Sequence, residues 1–222
     1  MKTYDRNKPL IFIHVPKTAG TSCAVIFNEW FSDGFYRHYY HEVDAEMPVW
    51  IDMERLHSYQ KPVCVYGHFN KLRKFGIEDY YPKVDQFVTI LRDPYELLIS
   101  HYFFTLRHGE DWVDKSRTPK TDLKTYLMET KPNMLNHFPR EVNLHNFKDI
   151  CEEYFMEIGV TEKLDESLKR IADKLGFSYG SNVPKLNETE RDQSVERDLK
   201  EVFIEKNPLE YEVYNYVLQR YL

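Results

Sequence analysis

The chain is poor in several things that would have pointed elsewhere. It has three cysteines in 222 residues, Cys23, Cys64 and Cys151, odd in number and far apart. They offer neither a disulfide framework nor a CxxC metal clip, a usage that suits a reducing compartment. No apolar run approaches the roughly 18 residues that a membrane-spanning helix needs. The opening residues, Met1 to Pro9, are polar, and the apolar stretch behind them is only Leu10 to Val15. That is too short for a secretory leader core and has no small-residue cleavage site after it, so the expectation is a cytoplasmic protein without membrane attachment. Basic residues are not in excess: 30 Lys and Arg face 36 Asp and Glu, a net charge of −6. Nucleic acid is therefore not the expected partner. Repeats, low-complexity tracts and Gly/Ser linkers are missing too.

What is present reads as one globular domain over residues 1–222. Hydrophobic residues make up 42% and aromatic residues 15%, with 17 Tyr and 14 Phe, enough for an aromatic core. Short apolar runs predict strands at Leu10–Val15, Val63–Tyr66, Gln86–Leu91 and Tyr154–Val160. Helices are expected at Thr21–Phe31, Pro94–Arg107, Thr161–Leu175, Ser194–Lys206 and Pro208–Leu222. Thr161 and Asn207 serve as expected N-caps, and Gly176 as a stop. Apolar strands alternating with helices predict an α/β fold, a parallel β-sheet flanked by helices on both faces. Ligands of such sheets bind beyond the carboxyl ends of the strands. Two polar segments, 32–48 and 109–122, read as insertions that shape an acceptor pocket.

Three motifs fall at those strand ends. Pro16-Lys17-Thr18-Ala19-Gly20-Thr21-Ser22 stands where the first strand hands over to a helix. Gly20 allows close backbone approach, and the amides of Thr18 to Ser22 would point outward from a helix N-terminus, which attracts anions. Lys17 adds charge, and Thr21 and Ser22 add hydroxyls. The plainer alternative is a Lys-Thr turn that caps a helix. A nucleoside triphosphate loop would place its Lys after the glycines; here Lys17 precedes Gly20 and no upstream glycine exists. Arg92-Asp93-Pro94 ends the next apolar strand but one, with Ser100 two helical turns on. Guanidinium and hydroxyl could grip a second phosphate, or Arg92 and Asp93 could be an ion pair at a helix start. His68, in Tyr66-Gly67-His68-Phe69, follows another strand and is either a general base or a structural imidazole.

The run Ile11 to Ser22 resembles the opening of the carbohydrate-type, PAPS-dependent sulfotransferases, in particular the glycan 2-O-sulfotransferase branch. The resemblance implies a P-loop-like fold. It also implies that Lys17 and the loop Thr18, Ala19, Gly20, Thr21 and Ser22 hold the 5′-phosphosulfate of 3′-phosphoadenosine 5′-phosphosulfate (PAPS). Arg92 and Ser100, with Tyr102 behind them, match the family's 3′-phosphate motif. One position departs: many members carry a second basic residue where Leu97 stands. His68 resembles the branch's catalytic base, although Phe69 follows it at once. Ile158–Leu168, Asn187 and the start of the last helix resemble later family segments.

The resemblance therefore implies in-line sulfuryl transfer from PAPS to a hydroxyl or amine, with Lys17 and His68 catalytic and no metal ion. The alternatives are an ATP-dependent kinase and a non-catalytic binder of 3′-phosphoadenosine nucleotides. Charge bears on the acceptor. The segments 32–48 and 109–122 carry Glu42, Asp44, Glu46, Glu110, Asp111 and Asp114 among Phe35, Tyr36, Tyr39, Tyr40 and Trp112. Acidic groups mixed with aromatics suit a small-molecule acceptor, or a neutral sugar, better than a sulfated polymer. Arg37, Lys115, Arg117 and Lys120 lie in the same segments and oppose that reading. The pair His38 and His41 lacks a third metal ligand and is expected at a pocket edge or on the surface. Nothing in the sequence fixes an oligomeric state.

Overall fold

The computed structural model describes residues 1–57, 61–180 and 197–222. Asn187 and the start of the expected helix Ser194–Lys206 lie outside them. The elements run β1 (Leu10–Ile13), α1 (Gly20–Phe31), β2 (Phe35–His38), α2 (Met53–His57), β3 (Cys64–Gly67), α3 (Ile77–Tyr80) and β4 (Phe87–Leu91). Then follow α4 (Pro94–His108), α5 (Leu123–Glu129), α6 (Phe147–Tyr154), β5 (Phe155–Val160), α7 (Leu164–Leu175), α8 (Arg197–Lys206) and α9 (Pro208–Leu218).

The five strands form one sheet in the order β2-β3-β1-β4-β5, and every pairing is parallel. Strand alternation divides the core. Ile11, Ile13, Val65, Phe87, Leu91, Ile158 and Val160 pack with α4, α6, α9 and Phe203 of α8 on one face. Leu10, Phe12, Cys64, Tyr66, Val88, Ile90 and Met156 pack with α1 and α7 on the other. This is the period-2 pattern of a sheet covered on both sides, as the unbroken apolar strands require. The cysteines are buried and unbonded to one another. Among the described residues no helix is long and apolar enough to cross a membrane.

The sheet order creates the site. The chain leaves β1 for β2 and β3 on one side, then returns past β1 to β4 on the other, so the order reverses at the carboxyl end of β1, where open α/β sheets take their ligands. Thr89 Oγ1 donates to the Ile13 carbonyl at 2.7 Å and locks β4 to β1 there. The buried Tyr66 hydroxyl donates to the Gly20 carbonyl at 2.6 Å, which ties the first turn of α1 to β3.

Local expectations failed in three places. Segment 32–48 is not all insertion: Phe35–His38 is the edge strand β2. Thr161 does not cap the helix after it. Its hydroxyl donates to the Leu91 carbonyl at 2.9 Å, and a 3₁₀ turn separates it from α7. Asn207 bonds backwards, its Nδ2 donating to the Phe203 carbonyl at 2.9 Å, and leaves α9 without a side-chain cap. Gly176 does end α7, with φ of 74°.

Tyr66→Phe deletes one buried hydrogen bond and nothing else in size. The expected loss is about 0.5–1.5 kcal/mol of stability, read as a lower urea midpoint; an unchanged midpoint would show that this bond does not anchor α1.

Candidate active site

The loop after β1 takes an unusual backbone path. Lys17 has φ of 69° and Ala19 φ of 61°, both left-handed. These turns bring the chain round so that α1 starts at Gly20 with Ala19 in the cap position and no side chain capping it. A twelve-residue helix with no acidic residue in its first turn thus presents its amides and its positive dipole end to whatever lies in the crevice. Thr18 does not point there: its hydroxyl, buried, donates to the Val15 carbonyl at 2.7 Å and closes the loop on itself. Ser22 is buried in the first turn of α1, and Thr21 is exposed.

Gly20 is fixed by a neighbour. A Cβ there would stand 1.7 Å from Nε2 of His14, so the imidazole lies directly on the glycine. Gly67 has a similar reason: a Cβ would meet the His38 carbonyl at 1.8 Å, and that carbonyl accepts from His68 N–H at 3.0 Å.

Arg92, just beyond β4, reaches across the crevice. Its Nη1 donates to the Lys17 carbonyl at 3.1 Å. Both cations thus stand beyond the carboxyl ends of the adjacent inner strands β1 and β4. The plainer reading of Arg92-Asp93-Pro94 finds a different Asp93. That carboxylate accepts from Tyr95 and Glu96 N–H as the cap of α4 and pairs with Lys200 Nζ at 2.9 Å. Ser100 is buried two turns into α4, and Leu97 is buried in the core, so the departure at Leu97 removes that position from ligand contact.

Lys17 Nζ rests 3.9 Å from the centre of the Phe104 ring. Burial, then Arg92 and Arg107, push its pKa down to about 8. Phe104 is a contact the sequence did not reveal, because an aromatic residue on a helix reads as packing.

On the other side of His14 lies a cluster of aromatic rings. His14 Nδ1 bonds the Tyr39 hydroxyl at 2.9 Å. The His68 ring is 4.5 Å from His14, 4.7 Å from Tyr39 and 6.5 Å from His137, centre to centre. His137 stands in a 3₁₀ turn, Met134–His137, that no motif marks. Burial holds His14 at about 3 and His137 at about 4, and holds His68 well below the usual imidazole value, with His14 and His137 adding to the effect. His68 is therefore neutral near pH 7, with one ring nitrogen unprotonated.

Segments 32–48 and 109–122 are knotted together. Glu42 accepts from Arg73 at 2.7 Å and from Arg117 at 2.5 Å, and its carbonyl accepts from Val113 N–H at 3.1 Å. Arg73 covers the Tyr40 ring and Arg117 the Trp112 ring. Asp44 pairs with His41, and Asp114 caps Ser116. Several of the acidic groups expected to face a ligand are thus spent on the protein, and Glu42 is outnumbered by two arginines. His38 is no surface group either: it is fully buried and stacked on Phe69.

Residues 2–221 match the sulfotransferase family. The chain belongs to that family. Mouse heparan sulfate 2-O-sulfotransferase 1 is 30% identical over 199 residues, covering 74% of this chain and 54% of that protein. The human protein of the same name is 29% identical over 137 residues, covering 56% of this chain and 37% of its own. The chain spans about half the length, or less, of the curated relatives it matches. Among solved structures, a sulfotransferase from Alicyclobacillus acidocaldarius aligns with a TM-score of 0.48 and 16% identity, over 93% of this chain and 96% of that one. Mouse sulfotransferase SULT7A1 complexed with PAP aligns with a TM-score of 0.45 and 13% identity, over 80% and 62%.

The buried histidines make a prediction about acid. His14 sits at about 3, and His38, His101 and His137 at about 4, all lowered chiefly by burial. Unfolded, each titrates near 6.5. Between those values the unfolded chain binds more protons, so stability is full above pH 6.5 and falls as pH drops towards 4. At pH 5.5 the cost is about 1.4 kcal/mol per histidine. Urea midpoints at pH 7.5 and 5.5 should differ clearly; equal midpoints would mean that these rings are not held neutral.

Proposed function

We propose that this sulfotransferase-family chain moves a sulfuryl group from PAPS to a sugar hydroxyl. The observation that carries the reading is the junction after β1: an uncapped helix start with Lys17 and Arg92 joined across it. Amides from Thr18 to Ser22 hold the 5′-phosphate, and Arg92 with Ser100 holds the 3′-phosphate. Lys17 leaves Phe104 to neutralise the bridging oxygen as the bond to sulfur breaks. His68 takes the acceptor proton. Such transfer is mostly positioning and charge stabilisation, and these groups supply the positive charge without calling for a metal ion.

The acceptor class rests on the relatives, which are named for a glycan substrate, and on the knot at Glu42. With that carboxylate held by Arg73 and Arg117, the acidic character of the acceptor segments no longer argues against a polar or anionic sugar. The kinase alternative needs a triphosphate loop order that Lys17 and Gly20 do not supply. The non-catalytic alternative differs from the proposal in one measurable respect, turnover.

The test is release of adenosine 3′,5′-bisphosphate from PAPS across sugar, aromatic and amine acceptors, in EDTA and beside ATP with Mg²⁺. Turnover with PAPS in EDTA is expected. Nucleotide binding without turnover on any acceptor, or turnover with ATP alone, would overturn the reading.

Lys17→Ala should slow transfer by ~10²–10³, the usual cost of one preorganised donor, with a normal melting temperature. Because the protonated amine is needed and its pKa is about 8, kcat/KM for PAPS in the native protein should fall as pH rises past 8. A flat profile to pH 9.5 would remove Lys17 from the role. His68→Asn should cut kcat by ~10²–10⁴ while leaving donor affinity within a few-fold; an unchanged kcat would pass the base to another group.

A further inference from the structure

Arg92 and Asp93 are neighbours of opposite charge just beyond β4, yet the Asp93 carboxylate is committed elsewhere. Its Oδ1 accepts from Tyr95 N–H at 3.0 Å, from Glu96 N–H at 3.2 Å and from the Tyr211 hydroxyl at 3.3 Å. Its Oδ2 accepts from Lys200 Nζ at 2.9 Å. Asp93 N–H, the amide of the peptide that joins the two residues, donates to Glu162 Oε1 at 2.9 Å. Bonds from α4 itself, the 3₁₀ turn after β5, α8 and α9 thus meet on one residue. The pair with Lys200 is not a loose surface contact. The Asp93 side chain is 13% exposed and that of Lys200 39%, and Lys200 Nζ stands 5.9 Å from the centre of the Tyr95 ring. A sheltered, charge-assisted bond of this kind counts for more than an ion pair in open water.

A carboxylate one residue away is a ready partner for a guanidinium. We propose that Lys200 is a positioning residue for Arg92. By occupying Asp93 Oδ2 it keeps that carboxylate from drawing in the guanidinium. Arg92 then stays directed at the loop after β1, where its Nη1 donates to the Lys17 carbonyl. Glu162 adds a second restraint, because its bond to Asp93 N–H fixes the peptide from which Arg92 projects. Lys200 lies more than a hundred residues from Arg92 in the chain, and no motif marks it; its role follows from the pairing that α8 makes with the start of α4.

This inference rests on the transferase reading and deepens it, since Arg92 is there the group that holds the 3′-phosphate. The consequence is selective. Without Lys200, Asp93 competes for Arg92 and the 3′-phosphate loses its partner, while the loop from Thr18 to Ser22 still holds a 5′-phosphate. A mere loss of one positive charge acting through space would instead weaken every nucleotide that carries a phosphate. Removing the competing carboxylate as well should give Arg92 back to the ligand.

The experiment is calorimetric titration of the native chain, Lys200→Met, Lys200→Arg and the double variant Lys200→Met with Asp93→Asn, each with adenosine 3′,5′-bisphosphate and with AMP. Lys200→Met should weaken the bisphosphate about tenfold, the worth of one charge-assisted bond, and leave AMP within a few-fold. Lys200→Arg keeps the counter-ion and should keep the native preference. The double variant should recover the preference that Lys200→Met loses, because an amide does not compete for a guanidinium as a carboxylate does. A native preference retained in Lys200→Met would overturn the proposal. So would equal losses on both nucleotides, or a double variant no better than Lys200→Met. Should Lys200→Met fail to fold, Lys200→Gln, which also removes the charge, decides by the same comparison. A native chain that binds the bisphosphate and AMP equally would overturn the donor reading and this inference with it; a native preference that Lys200 does not control would overturn the inference alone.

Discussion

Contact between the His14 imidazole and the backbone at Gly20 is the constraint on which the site depends. The ring occupies the space where any side chain at position 20 would stand. It therefore dictates glycine at the start of α1. With Lys17 and Ala19 both left-handed, the loop is drawn tightly round the end of β1. The same ring bonds Tyr39 and lies against His68. One imidazole thus joins the loop after β1 to the ring cluster around His68. Thr89 and Tyr66 hold the two sides of that junction from beneath.

Charge in the crevice is arranged in two layers. Burial, then the neighbouring Arg92 and Arg107, weakens the hold of Lys17 on its proton. Farther out, Arg73 and Arg117 share Glu42, which joins the two acceptor segments into one wall. Aromatic faces serve as resting places for cations throughout: Phe104 for Lys17, Tyr40 for Arg73, Trp112 for Arg117. These rings thus serve cation–π contact as well as packing.

Much of this was readable in the sequence where local chemistry decides. Strands β1, β3, β4 and β5 are near-continuous apolar runs, interrupted at Thr89 and Glu157, and both faces of the sheet follow from them. Strand β2 was not readable, because Phe35–His38 carries Arg37, is only half-buried at its start and sits at the edge. The order Lys17 before Gly20 separated this loop from a triphosphate loop. Thr161 and Asn207 misled because their partners, Leu91 across the sheet and Phe203 on the preceding helix, are settled by tertiary packing. His137 and Phe104 gave no signal: the one stands in an irregular turn, the other in an ordinary helix, and their significance is wholly in what they touch. The acidic residues of segments 32–48 and 109–122 could not be read for what they face, since a sequence does not show that Glu42 is already paired.

The most direct test of the donor cradle is calorimetric titration of the chain with adenosine 3′,5′-bisphosphate, AMP and ATP with Mg²⁺. Charge-assisted bonds to a second phosphate are worth roughly 1.5–3 kcal/mol, so the bisphosphate should bind at least tenfold more tightly than AMP, without metal. Equal affinity for the bisphosphate and AMP, or binding of ATP with Mg²⁺ alone, would contradict the account.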